Sequence, residues 1–258
     1  MDGVLRLLAV ALLAFFSELL SSVFGGGYGT ILAPALVLMG YDLSLAVPST
    51  LVSQLTSSIL LALLYHRLGT IKIGLKTEDV KIAGILASCG LIGIAIAALA
   101  LISLPAVAIN TYVGLVVLAV GIFVLIKRNS HTVRPSLKKI VVVGILSAFN
   151  KGLSGGGYGP LVSGGQVASG ASTKSAIGRT LLAETVICTN AILMYLWLGV
   201  PLDWGLMLAA TLGSLLTVPL SAYLVNRASD RALKLGMGLI ISGLGASMLV
   251  KLILTSLS

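Results

Sequence analysis

The 258-residue chain is poor in charge: Asp, Glu, Lys and Arg make up 10% of it, while 57% is hydrophobic. Soluble domains carry about 25% charged and 45–50% apolar residues, so this composition excludes an ordinary water-soluble core. Cysteine is almost absent. Cys89 and Cys188 lie inside apolar stretches without CxxC spacing or a neighbouring histidine, which excludes a disulfide framework and gives no sign of a metal site. The two histidines, His66 and His131, fall at a span end and in a loop. No HExxH, Ser/His/Asp set or phosphate-binding glycine loop is present, so we expect no catalytic residues, no cofactor and no metal. The net charge of +9 comes from basic residues scattered over short loops. Without a basic domain or an aromatic-basic platform it does not point to nucleic acid, and topology and anion handling explain it better.

What is abundant is apolar sequence in runs of membrane-spanning length. The runs are Val4 to Phe24, Thr30 to Met39, Leu43 to Tyr65, Val80 to Ile102, Ala106 to Ile126, Lys139 to Ser154, Pro160 to Ser169, Thr173 to Leu198, Trp204 to Val225 and Ala232 to Leu254. Most match the ~20 residues that cross a ~30 Å hydrocarbon layer, and the lipid bilayer is the expected surrounding. The first run has no small-residue cleavage site ahead of a soluble domain, so it reads as part of the mature protein. Two runs, Thr30 to Met39 and Pro160 to Ser169, are too short to span. Each follows Gly-Gly-Gly-Tyr-Gly.

Shifting the sequence by 130 residues aligns Ser17–Gly69 with Ser147–Gly199 without a gap, at 15 identities in 53 positions. The pairs include Gly25–Gly29 with Gly155–Gly159, Thr50 with Thr180 and Leu68-Gly69 with Leu198-Gly199. This is an internal repeat. It divides the chain into a first repeat (1–128), a basic linker (129–138) and a second repeat (139–258). The stretch joining the halves carries Lys127, Arg128, His131, Arg134, Lys138 and Lys139, which places it in the cytoplasm. Counting back three spans puts the loop with Arg67, Lys72, Lys76 and Lys81 inside as well. Its repeat partner, Gly199 to Asp203, has no basic residue, as expected if the halves are inverted copies with external termini. The count requires each GGGYG unit to cross zero or two times. The expected fold is an all-α polytopic membrane protein of two inverted repeats. Each is a re-entrant or broken helical hairpin tipped by GGGYG plus three spanning helices.

Three successive glycines cost about 1 kcal/mol each in a helix and open backbone angles closed to other residues. Unwound backbone is tolerated in a membrane only against protein or water. The helix that returns from each break, starting near Thr30 or Pro160, would present free N–H groups and the positive end of its dipole, a ready anion site. Candidate ligands are therefore Gly25, Gly26, Gly27, Gly155, Gly156 and Gly157, together with Tyr28 and Tyr158. Those hydroxyls either donate to an anion or lock the tips. The plainer alternative is that the glycines only allow close helix packing.

Ionisable groups inside spans are costly and usually functional. Lys151 lies four residues before Gly155, and Arg179 and Glu184 lie in the run from Thr173. Thr50 and Gln54 share a helix face, as do Thr180 and Glu184. Arg179 reads as an anion ligand or as an ion-paired, snorkelling side chain. Glu184 either pairs with Lys151 or Arg179 or stays protonated, which would suit proton coupling. Glu18, near the first break, is a weaker candidate because its repeat partner is Ala148.

These paired breaks, the short helices ending at Gly40 or Gly170, the stretch Ala46-Val47-Pro48-Ser49-Thr50 and the Tyr65-His66-Arg67-Leu68-Gly69 end resemble the sulfite exporter TauE/SafE family, also called toluene-sulfonate uptake permeases. The resemblance covers nearly the whole chain. It implies a multi-pass transporter of a bacterial or archaeal inner membrane with about eight helices. Its substrate would be a small anion, sulfite or an organosulfonate such as sulfoacetate. The expected function is secondary transport by alternating access, with a passive anion channel as the alternative. The second half departs from the first where Gly178 and Arg179 replace Pro48 and Ser49.

Overall fold

The computed structural model describes the chain except residues 1–2, 26, 75, 104–105, 127–136, 155–157, 198 and 258, and the side chains of 43, 94–103, 106–110, 150–154 and 251–257. The linker expected at 129–138 lies outside the described residues apart from its last two, which open a helix. The described residues form ten helices in order: α1 (Gly3–Phe24), α2 (Tyr28–Leu38), α3 (Leu43–Arg67), α4 (Glu78–Ser103), α5 (Ala106–Ile126), α6 (Leu137–Ser154), α7 (Tyr158–Ala168), α8 (Thr173–Trp197), α9 (Trp204–Arg227) and α10 (Asp230–Leu257). No strand occurs among the described residues. Among the described residues five helices, within α1, α3, α8, α9 and α10, are long and apolar enough to cross a membrane. The chain is thus an all-helical polytopic membrane protein.

The helices end where the sequence supplies glycine. Gly40, Gly69, Gly170 and Gly199 take φ of +86°, +73°, +107° and +66°, angles costly for residues with a Cβ. Each closes its helix with the same bond pair. Gly40 N–H bonds the Val37 carbonyl and Tyr41 N–H the Leu36 carbonyl, just as Gly170 bonds Val167 and Ala171 bonds Gln166. This left-handed cap satisfies carbonyls the helix end leaves free. At the other end, Asp203 caps α9 by accepting the Leu206 N–H at 2.9 Å.

The halves interleave. α4 packs on α6 and α8, α9 packs on α1 and α3, α3 packs on α8 and α5 packs on α10. The α5–α10 seam is built on glycine: Gly121 abuts Ser242, Gly245 abuts Leu118, Gly114 abuts Leu249 and Gly238 abuts Leu125. Residue numbers rise on one helix as they fall on the other, so the two run antiparallel. Small residues let the backbones approach, as is usual where lipid supplies no hydrophobic drive between helices.

The outer surface is apolar. Leu8, Leu12 and Phe16 of α1 and Leu208, Leu212 and Leu216 of α9 are exposed, as suits a lipid-facing stripe. Trp197 and Trp204 are exposed at the facing ends of α8 and α9, where amphipathic rings sit at the headgroup level.

Candidate functional site

α1 does not continue past Phe24. Gly25 and Gly27 have φ of +92° and +120°, and Gly27 is the residue from which α2 begins. α2 then runs back along α1: the Arg6 guanidinium donates to the Met39 carbonyl and lies 4.7 Å from the centre of the Tyr41 ring. The returning arm therefore runs antiparallel to α1 and ends within reach of the Arg6 side chain. The returning helices begin at Tyr28 and Tyr158 rather than at the expected Thr30 and Pro160. The reason is local. The first-turn N–H groups of a helix need no intrahelical partner, so Pro160 fits as its third residue without loss.

The first tip meets the second hairpin in the interior. The Ser163 hydroxyl of α7 donates to the Gly25 carbonyl. Gly27 faces Leu244 and Pro160, which lie 3.3 and 3.7 Å from where a Cβ would stand. Gly26, Gly155, Gly156, Gly157 and the Lys151 side chain lie outside the described residues. The two tyrosines tie their helices to neighbours: Tyr28 Oη is 2.6 Å from Ser53 Oγ of α3, and Tyr158 Oη donates to the Leu86 carbonyl of α4 at 3.1 Å.

The polar faces of α3 and α8 stand beside these helices. Thr50 and Gln54 lie within 4.0 Å of a Cβ position on Gly29, in the first turn of α2. In the second half Gln166 of α7 donates to Thr180 Oγ1 at 3.2 Å and to the Ala176 carbonyl at 3.3 Å, and its own Oε1 is buried without a partner. α3 and α8 face each other, with Gln54 Oε1 3.8 Å from Cys188 Sγ. Glu184 is buried on α8, one turn beyond Thr180.

Arg179 lies apart from the tips. Its Nε donates to Asp79 Oδ1 at 2.7 Å and its Nη2 is 3.7 Å from Glu78 Oε1. Asp79 Oδ2 in turn accepts the Lys72 N–H at 2.8 Å. The short Arg179–Asp79 contact at a buried guanidinium outweighs the longer one to half-exposed Glu78, since exposed pairs are worth only ~0–1 kcal/mol. Beside the pair is an open cleft of about 410 Å³ lined by Gly69, Thr70, Lys72, Thr77, Ser175 and Arg179, among others.

Sequence reading missed Asp79, which is 100 residues from Arg179, and Ser163 and Gln166, whose repeat partners are the apolar Ala33 and Leu36. It ranked Glu18 low. The signal available was polar residues inside an otherwise apolar helix, strongest in the Ser163–Gln166 stretch of α7.

A helix break at Gly25 and Gly27 inside a bundle of membrane-spanning helices, with the polar side chains of α3 and α7 beside it, defines the class: a multi-pass membrane protein with a discontinuous helix. The family model described as Sulfite exporter TauE/SafE matches residues 10–248, and the chain belongs to that family. It is also similar to the "Probable membrane transporter protein YtnM" of Bacillus subtilis (strain 168), at 24% identity over 236 residues covering 86% of this chain and 75% of that protein. The family is one of membrane transporters, and the chain is a multi-pass protein of the prokaryotic inner membrane.

Proposed function

We propose that the chain is a secondary transporter of small sulfur oxyanions, sulfite or organosulfonates such as sulfoacetate, working by alternating access and without bond cleavage. The meeting of the first tip with the second turn of α7, through Ser163 and Gly25, carries the reading. The Gly25–Gly27 and Gly155–Gly157 backbones and the helix starts beyond them supply N–H donors that replace the anion's water. Thr50, Gln54 and Thr180 line the site and Lys151 adds positive charge. Tyr28 and Tyr158 hold the tips in place. Arg179 takes the anion in exchange for Asp79 when the cleft beside it opens to the cytoplasm, and Glu184 faces the site as the second half's candidate for proton coupling.

Inverted repeats are part of the proposal. α5 and α10, and α3 and α8, are corresponding elements of the two halves, and an axis in the membrane plane would make each pair antiparallel. The test is counterflow of labelled sulfite and sulfoacetate in proteoliposomes. Saturable exchange is expected, with loss of flux in Arg179→Ala while the variant remains monodisperse. Undiminished flux in that variant removes Arg179 from the site, and non-saturating flux in the wild type makes the chain a channel.

A further inference from the structure

The anion site just proposed leaves Glu18 unused, although it is a buried carboxyl on the helix that ends at the first break. Glu18 lies on α1 seven residues before Gly25 and is 2% exposed. Its Oε1 accepts the Ser22 hydroxyl at 2.7 Å. Its Oε2 is closed off from solvent and has no hydrogen-bond partner.

The titratable groups that face it are Tyr28 of α2, Tyr65 of α3 and Glu184 of α8. Both tyrosine hydroxyls are occupied, Tyr28 with Ser53 and Tyr65 with the Ser22 carbonyl at 3.2 Å. The charges of α9 stand at its two ends, Asp203 before it and Arg227 at its last residue. α10 carries Asp230, Arg231 and Lys234 in its first turns, with Lys234 held by Asp230 at 2.9 Å, and Lys251 in its last turns, where the side chains lie outside the described residues. Among the described residues no cation pairs with Glu18. A buried carboxylate without a counter-ion costs several kcal/mol, and a proton on Oε2 removes that cost. An anion held at the tips binds better when a carboxyl two turns away is neutral, because like charges repel strongly where water is excluded.

We propose that Glu18 is a proton-carrying site of the transport cycle, holding one proton on Oε2 at rest and while the anion binds and releasing it on the opposite side, so that proton and anion move together. This rests on the transport reading above. No bond other than O–H forms or breaks, and the proton comes from and returns to water.

The full-length protein in proteoliposomes tests it with labelled sulfoacetate, which stays ionised across the pH range used. One proton per anion lets a one-unit pH gradient, alkaline inside, drive up to about tenfold accumulation. Glu18→Gln should still exchange sulfoacetate but lose gradient-driven accumulation. Tenfold accumulation retained in Glu18→Gln, or coupling lost only in Glu184→Gln, overturns the proposal. Infrared spectroscopy separates its failure from failure of the transport reading. A protonated-carboxyl C=O stretch present in the wild type at neutral pH and missing in Glu18→Gln supports the site even if sulfoacetate is not carried. A band unchanged in the variant overturns it.

Discussion

At the scale of single residues, the break in α1 rests on glycine for two separate reasons. Gly25 has φ of +92°, and a Cβ there would lie 2.4 Å from Ser163 Oγ and 2.7 Å from Met237 Cε. Backbone strain and a clash with the opposing hairpin act together. Strain of this kind costs ~1–3 kcal/mol, and the contact between tips is lost besides. Gly25→Ala should therefore lower the melting temperature in detergent and reduce anion flux at least tenfold. Gly84→Ala, on α4 at a position with open space around it, should leave both unchanged. If the two variants behave alike, the tip does not depend on close approach.

At the scale of elements, the α5–α10 pair has no room for a side chain at Gly121 or Gly245, because the nearest neighbouring atoms there are backbone. A Cβ on Gly121 would lie 2.4 Å from the Ser242 nitrogen, and one on Gly245 would lie 2.4 Å from the Leu118 nitrogen. Backbone does not swing aside as a flexible side chain does, so Gly121→Ala must separate the helices, at the ~1–3 kcal/mol typical of overpacking. Gly243→Ala on the open face of α10 should be neutral or slightly stabilising, given the higher helix propensity of alanine. Thermal unfolding of the two variants side by side is the measurement. Elements of this kind were legible in the sequence. Runs of apolar residues ended by Gly40, Gly69, Gly170 and Gly199 mark α2, α3, α7 and α8 to within a few residues, because a left-handed cap is a local property. The site was legible only in part. GGGYG announces a break by its composition, but the Arg179–Asp79 bond joins positions 100 residues apart, and nothing local in either sequence reports it. Nor does the repeat reveal that the hairpins differ. α7 is buried over Tyr158–Val167 and packs on α5, α6, α8 and α10, while α2 buries only Tyr28, Leu32 and Leu36 and packs on α1 and α3.

At the scale of the whole molecule, the direction of corresponding helices constrains how the halves are related. A pseudo-two-fold axis along the membrane normal would leave α5 and α10 parallel, whereas an axis in the membrane plane turns one against the other. Gly121 beside Ser242 and Gly114 beside Leu249 are antiparallel pairings, and the α1–α2 hairpin returns to Arg6. If neither hairpin makes a net crossing, as the proposed inverted repeat requires, α3 and α8 start on opposite sides of the membrane. The loop after α3, with Lys72 and Lys76, should face the cytoplasm, where basic loops are retained. The loop after α8, which holds Val200 and lacks basic residues, should face outward. Cys89 and Cys188 are buried, so single cysteines can be introduced at Lys72 and Val200 in a Cys89→Ala, Cys188→Ala background. A membrane-impermeant maleimide added to intact cells should label the Val200→Cys protein at once and the Lys72→Cys protein only after permeabilisation. Labelling of both from the same side would require the halves to be parallel repeats, and the two tips would then not be related by an axis in the membrane plane.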